Sequence, residues 1–112
     1  MLLDRINNTF ILVTVTLLLF KLRQIIFRYV LLLLTIDIVK HITEKKRPNG
    51  TDYLSFPSGH AATAWFIAVF YKWNPILVLW AILVSAARVK LKYHHIQDVI
   101  VGAIFGIVFA SY

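Results

Sequence analysis

Five apolar runs, at residues 10–20, 29–39, 61–73, 76–87 and 99–112, make up most of the chain, and charge enters mainly in short clusters between them. None reaches the roughly 20 residues of a full helical span, and runs of about 10–14 also serve as buried helices. Flanking turns extend most of them toward spanning length. Hydrophobic residues reach 60% over 112 positions, against about 45–50% in ordinary soluble domains. A chain this short cannot cover so much apolar surface with polar side chains, so lipid is the simplest solvent for its outside. Disorder is excluded by the same content. The expected fold is all-α: an integral-membrane bundle of about five transmembrane segments, in a single domain over residues 1–112.

Twelve Lys and Arg against five Asp and Glu give a net charge of +7. The excess points to anionic partners, a membrane surface and phosphate first. Nucleic acid is not expected, because its binders carry charge along a polar face, whereas here it falls between apolar runs. There is no cysteine, which removes disulfides, thiolate zinc sites and Cys nucleophiles.

The first run has the length of a signal-peptide core, but no small-residue cleavage site follows, so it reads as an anchor. Trp65, Trp73, Trp80, Tyr29 and Tyr71 suit either the membrane interface or buried packing. Gly102 and Gly106 form a small-xxx-small pair that would admit a close helix, a spacing that chance also produces. If all five runs cross, one side holds Lys21, Arg23, Arg28 and Lys72. The other holds the N-terminus, the 40–60 connection, the 88–95 connection and all four histidines: His41, His60, His94 and His95. Both sides carry Lys and Arg, so charge bias alone does not choose the face.

Three clusters on the histidine side carry chemistry. In the first, six residues separate Lys40 from Arg47-Pro48; the second is Pro57-Ser58-Gly59-His60. The third is Arg88, then His94 after five residues and Asp98 after three more. On a helix His94 and Asp98 would share a face, and a carboxylate on one imidazole nitrogen would leave the other free as nucleophile or base. His95 competes for that carboxylate from three residues away. Read plainly, the pair is an exposed contact worth about 0.3–0.5 kcal/mol. Ser58 suits an N-cap, and Gly59 exposes backbone N–H groups where a helix start favours anions. His60 then falls in the first turn, placed to give a proton to a leaving oxygen; a capped helix with an interfacial His is the plain alternative. Lys40, Arg47 and Arg88 would neutralise a phosphate, although Arg88 also suits snorkelling. Lys45, Lys46, Lys90 and Lys92 are assigned to solvent or headgroups. The chain has no phosphate-binding glycine loop and no zinc helix. Its acids, Asp4, Asp37, Glu44, Asp52 and Asp98, are scattered, which argues against a two-metal cluster.

Taken together and in this order, the three clusters resemble the signature blocks of the type 2 phosphatidic acid phosphatase (PAP2) superfamily, spanning residues 40–98. The resemblance implies a PAP2/haloperoxidase-like helical bundle and a metal-independent, cofactor-free lipid phosphatase. It implies that His94 is the nucleophile forming a phosphohistidine, Asp98 its orienting partner and His60 the general acid. Lys40, Arg47, Arg88, Ser58 and the Gly59 backbone become the phosphate clamp. The substrate would be a lipid phosphate or diphosphate. The site would lie on the outer face of a bacterial cytoplasmic membrane. Two departures stand out: Ala87 precedes Arg88 where the family carries Ser, removing a hydroxyl donor worth about 1.5–3 kcal/mol, and the chain shows five apolar runs where membrane members have six helices. An inactive remnant that still binds lipid phosphates or partner proteins is the alternative expectation.

Overall fold

The computed structural model describes residues 2–111, apart from the side chain of Leu3. It contains four helices and no strand among the described residues: α1 Leu2–Thr43, α2 Gly59–Phe70, α3 Pro75–Lys90 and α4 Ile96–Ala110.

The first two apolar runs are one continuous helix rather than two segments. The physical reason lies at residues 21–28, where Lys21, Arg23 and Arg28 interrupt the apolar pattern but nothing interrupts the backbone. The first Pro is Pro48 and the first Gly is Gly50, and charged residues with long stems are good helix formers. The N-terminal end of α1 therefore lies away from the histidine-bearing end, not beside it. The helix stops where Glu44 turns to a positive φ of 47° and its N–H returns to the Lys40 carbonyl at 3.0 Å, a left-handed C-cap.

The shorter helices have explicit caps. Ser58 caps α2, its Oγ accepting the Ala61 N–H at 3.2 Å. Asn74 caps α3 ahead of Pro75, accepting from Ile76 at 3.0 Å and Leu77 at 3.4 Å. His95 is the N-cap residue of α4, and the Asp98 carboxylate three positions on accepts the His95 backbone N–H at 2.8 Å, half of a capping box.

Helix α2 is the centre. Its small residues Ala61, Ala62, Ala64 and Ala68 are all buried, letting α4 close on one side and α3 on the other. Leu32 and Ile36 of α1, Phe66 and Val69 of α2 and Ala110 of α4 form one apolar cluster, and Ala64, Ala68 and Ala81 form a second. Tyr29 bonds Thr63 at 3.1 Å, and Arg28 donates to the Ala110 carbonyl at 3.1 Å, fixing α1 to α2 and α4.

The glycine pair is a packing device. A Cβ on Gly102 would collide with the Ser58 carbonyl oxygen, and one on Gly106 with that of Ala62. The pair thus lets α4 lie directly on the backbone of α2. Tyr29 and Trp65 are packed, Trp65 donating to Ser85 at 3.0 Å, whereas Tyr71, Trp73 and Trp80 are exposed.

The molecule measures 68 × 28 × 21 Å, and α1 accounts for the long dimension. Its first 23 described positions, up to Gln24, contact little; Ile25 is the first residue to become partly covered by the core. By length and composition, α1 is the one helix among the described residues able to cross a membrane (Asp4–Thr43); α2 and α4 are shorter apolar helices.

Candidate active site

The end of the bundle bearing the C-terminus of α1 is roofed by the 44–58 segment, which is tied down at several points. The Arg47 N–H donates to the Asp52 carbonyl at 3.0 Å, the Asn49 N–H to Lys92 at 3.1 Å and the Ser55 N–H to Lys45 at 3.0 Å. Ser58 donates its N–H to the Asp98 carbonyl at 3.0 Å. Three sequence clusters far apart in the chain meet here as a result.

Below the roof is a cavity of about 560 Å³ lined by Lys40, Arg47, Gly59, His60 and His94, with an apolar wall that includes Tyr29, Leu33, Trp80 and Val84. Lys40 approaches from α1, its ammonium donating to the Leu54 carbonyl at 2.7 Å. Arg47 is held from two sides: its Nε donates to Asp52 Oδ1 at 2.6 Å and its Nη1 to the Tyr93 carbonyl at 3.1 Å. Asp52 also accepts the Leu54 N–H at 2.9 Å. It therefore secures Arg47 directly and, through Leu54, the carbonyl that receives Lys40. In the sequence Asp52 is one of five scattered acids, with no spacing that marks this role.

His94 lies in the connection before α4 and is 2% exposed. Its Nδ1 is 2.6 Å from the Ser55 carbonyl oxygen, which only accepts, so Nδ1 carries the proton. Burial, reinforced by Lys40, Arg47 and Arg88 and opposed by the Ser55 hydrogen bond, pushes the imidazole down to about 4. The ring is then neutral near pH 7, with Nε2 unprotonated. Arg47 Nη1 stands 3.4 Å from that nitrogen. His60, exposed in the first turn of α2, lines the same cavity.

Arg88 adjoins the site. Its carbonyl accepts the N–H groups of Tyr93 at 3.1 Å and His94 at 3.2 Å, and its guanidinium stacks 4.3 Å over the Tyr93 ring. Its Nε is buried without a hydrogen-bond partner among the described residues, a donor suited to an anionic ligand.

Other expectations are corrected. Asp98 does not contact a ring nitrogen of His94. His94 precedes the N-cap of α4, so the two residues are not one helical turn apart. The Asp98 carboxylate is instead buried behind the cavity wall, bonded to the Ser55 hydroxyl, to the His95 N–H and to Lys45 at 2.7 Å. Lys45 is thus an ion-pair partner, not a headgroup lysine. Ser58 is buried, its Oγ engaged in the α2 cap. His95 turns its Nε2 toward the Lys46 carbonyl at 3.3 Å, and His41 pairs with Asp37 on the exposed side of α1. Ser85 donates to Ala81 at 2.8 Å while accepting from Trp65, so it does not replace the hydroxyl missing at Ala87. Ser55, which links Asp98 to His94, was missed. Its only local signal is a serine two residues before Pro57, and its role depends on tertiary contacts.

Arg47, Lys40 and Arg88 form a cationic surround, His94 presents a neutral imidazole whose unprotonated Nε2 accepts from Arg47, and His60 faces the same space. Cations gathered around an unprotonated imidazole nitrogen are chemically suited to an anionic group such as a phosphate. The sequence model of the PAP2 superfamily matches residues 21–112. No solved structure matches the chain.

Proposed function

The chain belongs to the PAP2 superfamily, a family of phosphatase-type hydrolases, and from that premise we propose that it is a membrane phosphatase cleaving a lipid phosphate or diphosphate through a phosphohistidine. The observation that carries this reading is His94: Nδ1 is committed to the Ser55 carbonyl, and Nε2 is left unprotonated, accepting only a long hydrogen bond from Arg47 Nη1 at 3.4 Å that an incoming phosphate would take over.

Lys40, Arg47 and Arg88 neutralise the phosphate oxygens, with the Gly59 backbone and Ser58 at the start of α2 adding a helix N-terminus. His94 Nε2 attacks phosphorus in line; the N–P bond forms as the bond to the lipid oxygen breaks. Charge neutralisation and positioning carry most of phosphoryl transfer. His60, when protonated, gives its proton to the leaving oxygen, then takes one from the water that attacks the phosphohistidine. Phosphate leaves and His94 returns to its starting state. Asp98 orients His94 indirectly. No metal enters the scheme.

The lipid reading rests on the cavity wall and α1. Tyr29, Leu33, Trp80 and Val84 offer apolar contact for the alcohol part of the substrate. From Lys21 to Lys40 the helix rises about 28 Å at 1.5 Å per residue, close to the roughly 30 Å hydrocarbon core. A bilayer set between those lysines puts the cavity at one face, taken here as the outer face of a cytoplasmic membrane, where substrate enters sideways and phosphate leaves to water.

The test is phosphate release from lipid phosphates by purified protein in detergent with EDTA, beside His94→Ala. Activity that survives EDTA and is abolished by the substitution is expected. Folded protein that releases nothing from any lipid phosphate would favour the second reading, an inactive phosphate-binding remnant, for which Ala87 is the specific observation.

A further inference from the structure

Ser55 is fully buried, and each of its polar groups is committed. Its N–H donates to the Lys45 carbonyl at 3.0 Å. Its hydroxyl donates to Asp98 Oδ2, while Lys45 Nζ donates to the other carboxylate oxygen, Oδ1, at 2.7 Å. Lys45, Asp98 and Ser55 thereby close a ring of three contacts. The Ser55 carbonyl points out of that ring and receives His94 Nδ1 at 2.6 Å. A hydroxyl bonded to a carboxylate makes a charge-assisted bond, stronger than its neutral counterpart, so the peptide carrying this carbonyl is held against rotation.

We infer that Ser55 is the positioning residue through which Asp98 acts on His94: the carboxylate fixes the Ser55 hydroxyl, and the carbonyl of the same residue fixes the proton on Nδ1 and the direction of Nε2. The negative charge of Asp98 then reaches the imidazole through one intervening residue. The inference rests on the phosphatase reading for its consequence in catalysis, but the linkage itself is a property of the folded protein and is measurable without turnover.

The alternative is that Ser55 merely fills and bonds the roof. The two differ in what the Ser55→Ala change moves. A filler changes stability; a positioning residue changes which nitrogen of His94 is protonated and the chemical step. Nitrogen-15 spectra of histidine-labelled protein in detergent at neutral pH read the tautomer, with the His94 signals assigned by their loss in His94→Ala. Wild-type protein is expected to show His94 protonated at Nδ1, and Ser55→Ala a mixture of the two tautomers. Loss of an outer partner of an active group commonly costs about 10- to 100-fold, and that fall is expected in kcat with KM within about twofold. Ser55→Thr, which keeps the hydroxyl, is expected to retain the Nδ1–H tautomer. Should Ser55→Ala not fold, Asp98→Asn carries the same test, since it weakens the acceptor of the Ser55 hydroxyl at nearly constant size.

A folded variant whose His94 tautomer is unchanged overturns the inference, whether or not its activity falls. Wild-type protein that turns over no lipid phosphate, yet shows the Nδ1–H tautomer and loses it in Ser55→Ala, would overturn the phosphatase reading and support the linkage.

Discussion

Gly102 lies against Ser58 so closely that a Cβ would meet the serine's carbonyl oxygen. One hydrogen atom in place of a methyl group therefore sets how near α4 comes to the first turn of α2. Ser58 precedes Gly59 and His60, which line the cavity, so this approach also sets where that part of the lining sits. Gly102→Ala is expected to push the helices apart and destabilise the protein by about 1–3 kcal/mol, as overpacking does. Thermal unfolding in detergent measures this, and a greater loss of phosphate release than of folded protein would place the damage at the site.

Asp52 anchors both Arg47 and the Leu54 peptide. The Leu54 N–H, then the Arg47 side chain, hold its carboxyl below the usual carboxylate range. A depressed carboxylate contributes its contacts above its ordinary pKa and loses them as pH falls through the lowered value. The anchor is therefore intact from mildly acidic pH upward. Asp52→Asn is expected to raise KM several-fold while changing kcat little, as steady-state kinetics will read, because Arg47 becomes free to leave the cavity.

The pH profile follows from His94. Its imidazole is pushed down to about 4 from an ordinary value near 6.5. Between those values the unfolded chain binds a proton that the folded protein refuses, so the folded state loses stability as pH falls from about 6.5 toward 4 and has none of this penalty above that window. For activity the sign is the same: Nε2 stays unprotonated well below neutrality. The acid limb of kcat/KM that belongs to His94 is expected near pH 4. The alkaline limb belongs to His60, the proton donor, which burial and then Arg88, Arg47 and Lys40 hold below its ordinary value, and it is expected to vanish in His60→Gln.

Lys45 is the only side-chain cation hydrogen-bonded to the buried Asp98 carboxylate among the described residues, and it is itself about one-third exposed. Lys45→Met leaves that charge with the Ser55 hydroxyl and the His95 N–H alone. Removing one partner of a buried pair costs several kcal/mol; solvent access to Lys45 reduces this to about 1–2 kcal/mol. Denaturant titration is expected to show that loss, and Asp98→Asn in the Lys45→Met background to recover part of it.

How much of this was legible in the sequence depends on whether a feature is local. The apolar runs marked the helices, and Ser58 marked one of their starts, because a cap is written in neighbouring residues. Residues 21–28 looked like a boundary because charge was read as a break, whereas a helix backbone is broken by glycine, proline or a cap. The three clusters identified the cavity's cations and histidines, since Lys40, Arg47, Gly59, His60 and His94 meet there. The spacing of His94 and Asp98 misled because it assumed a helix running through both, and the helix starts between them. The glycine pair was visible, but its partner, the backbone at Ser58 and Ala62, lies some forty residues away. Ser55 and Asp52 act through contacts made only when the roof closes, so no spacing could announce them.

An unbroken α1 also gives the molecule a mechanical property. It is a stiff rod gripped near one end, where Leu32 and Ile36 enter the core, with Lys40 a short way past the grip and the long N-terminal arm on the other side. Leu2 lies roughly 45 Å from Leu32, and Lys40 roughly 12 Å beyond it, at 1.5 Å per residue. For a rigid rod pivoting at that grip, sideways travel of the far tip arrives at the lysine reduced about fourfold and reversed in direction. Any load on the arm therefore falls on the contacts from Ile25 to Ile36 and, at the short end, on the bond from Lys40 to the Leu54 carbonyl.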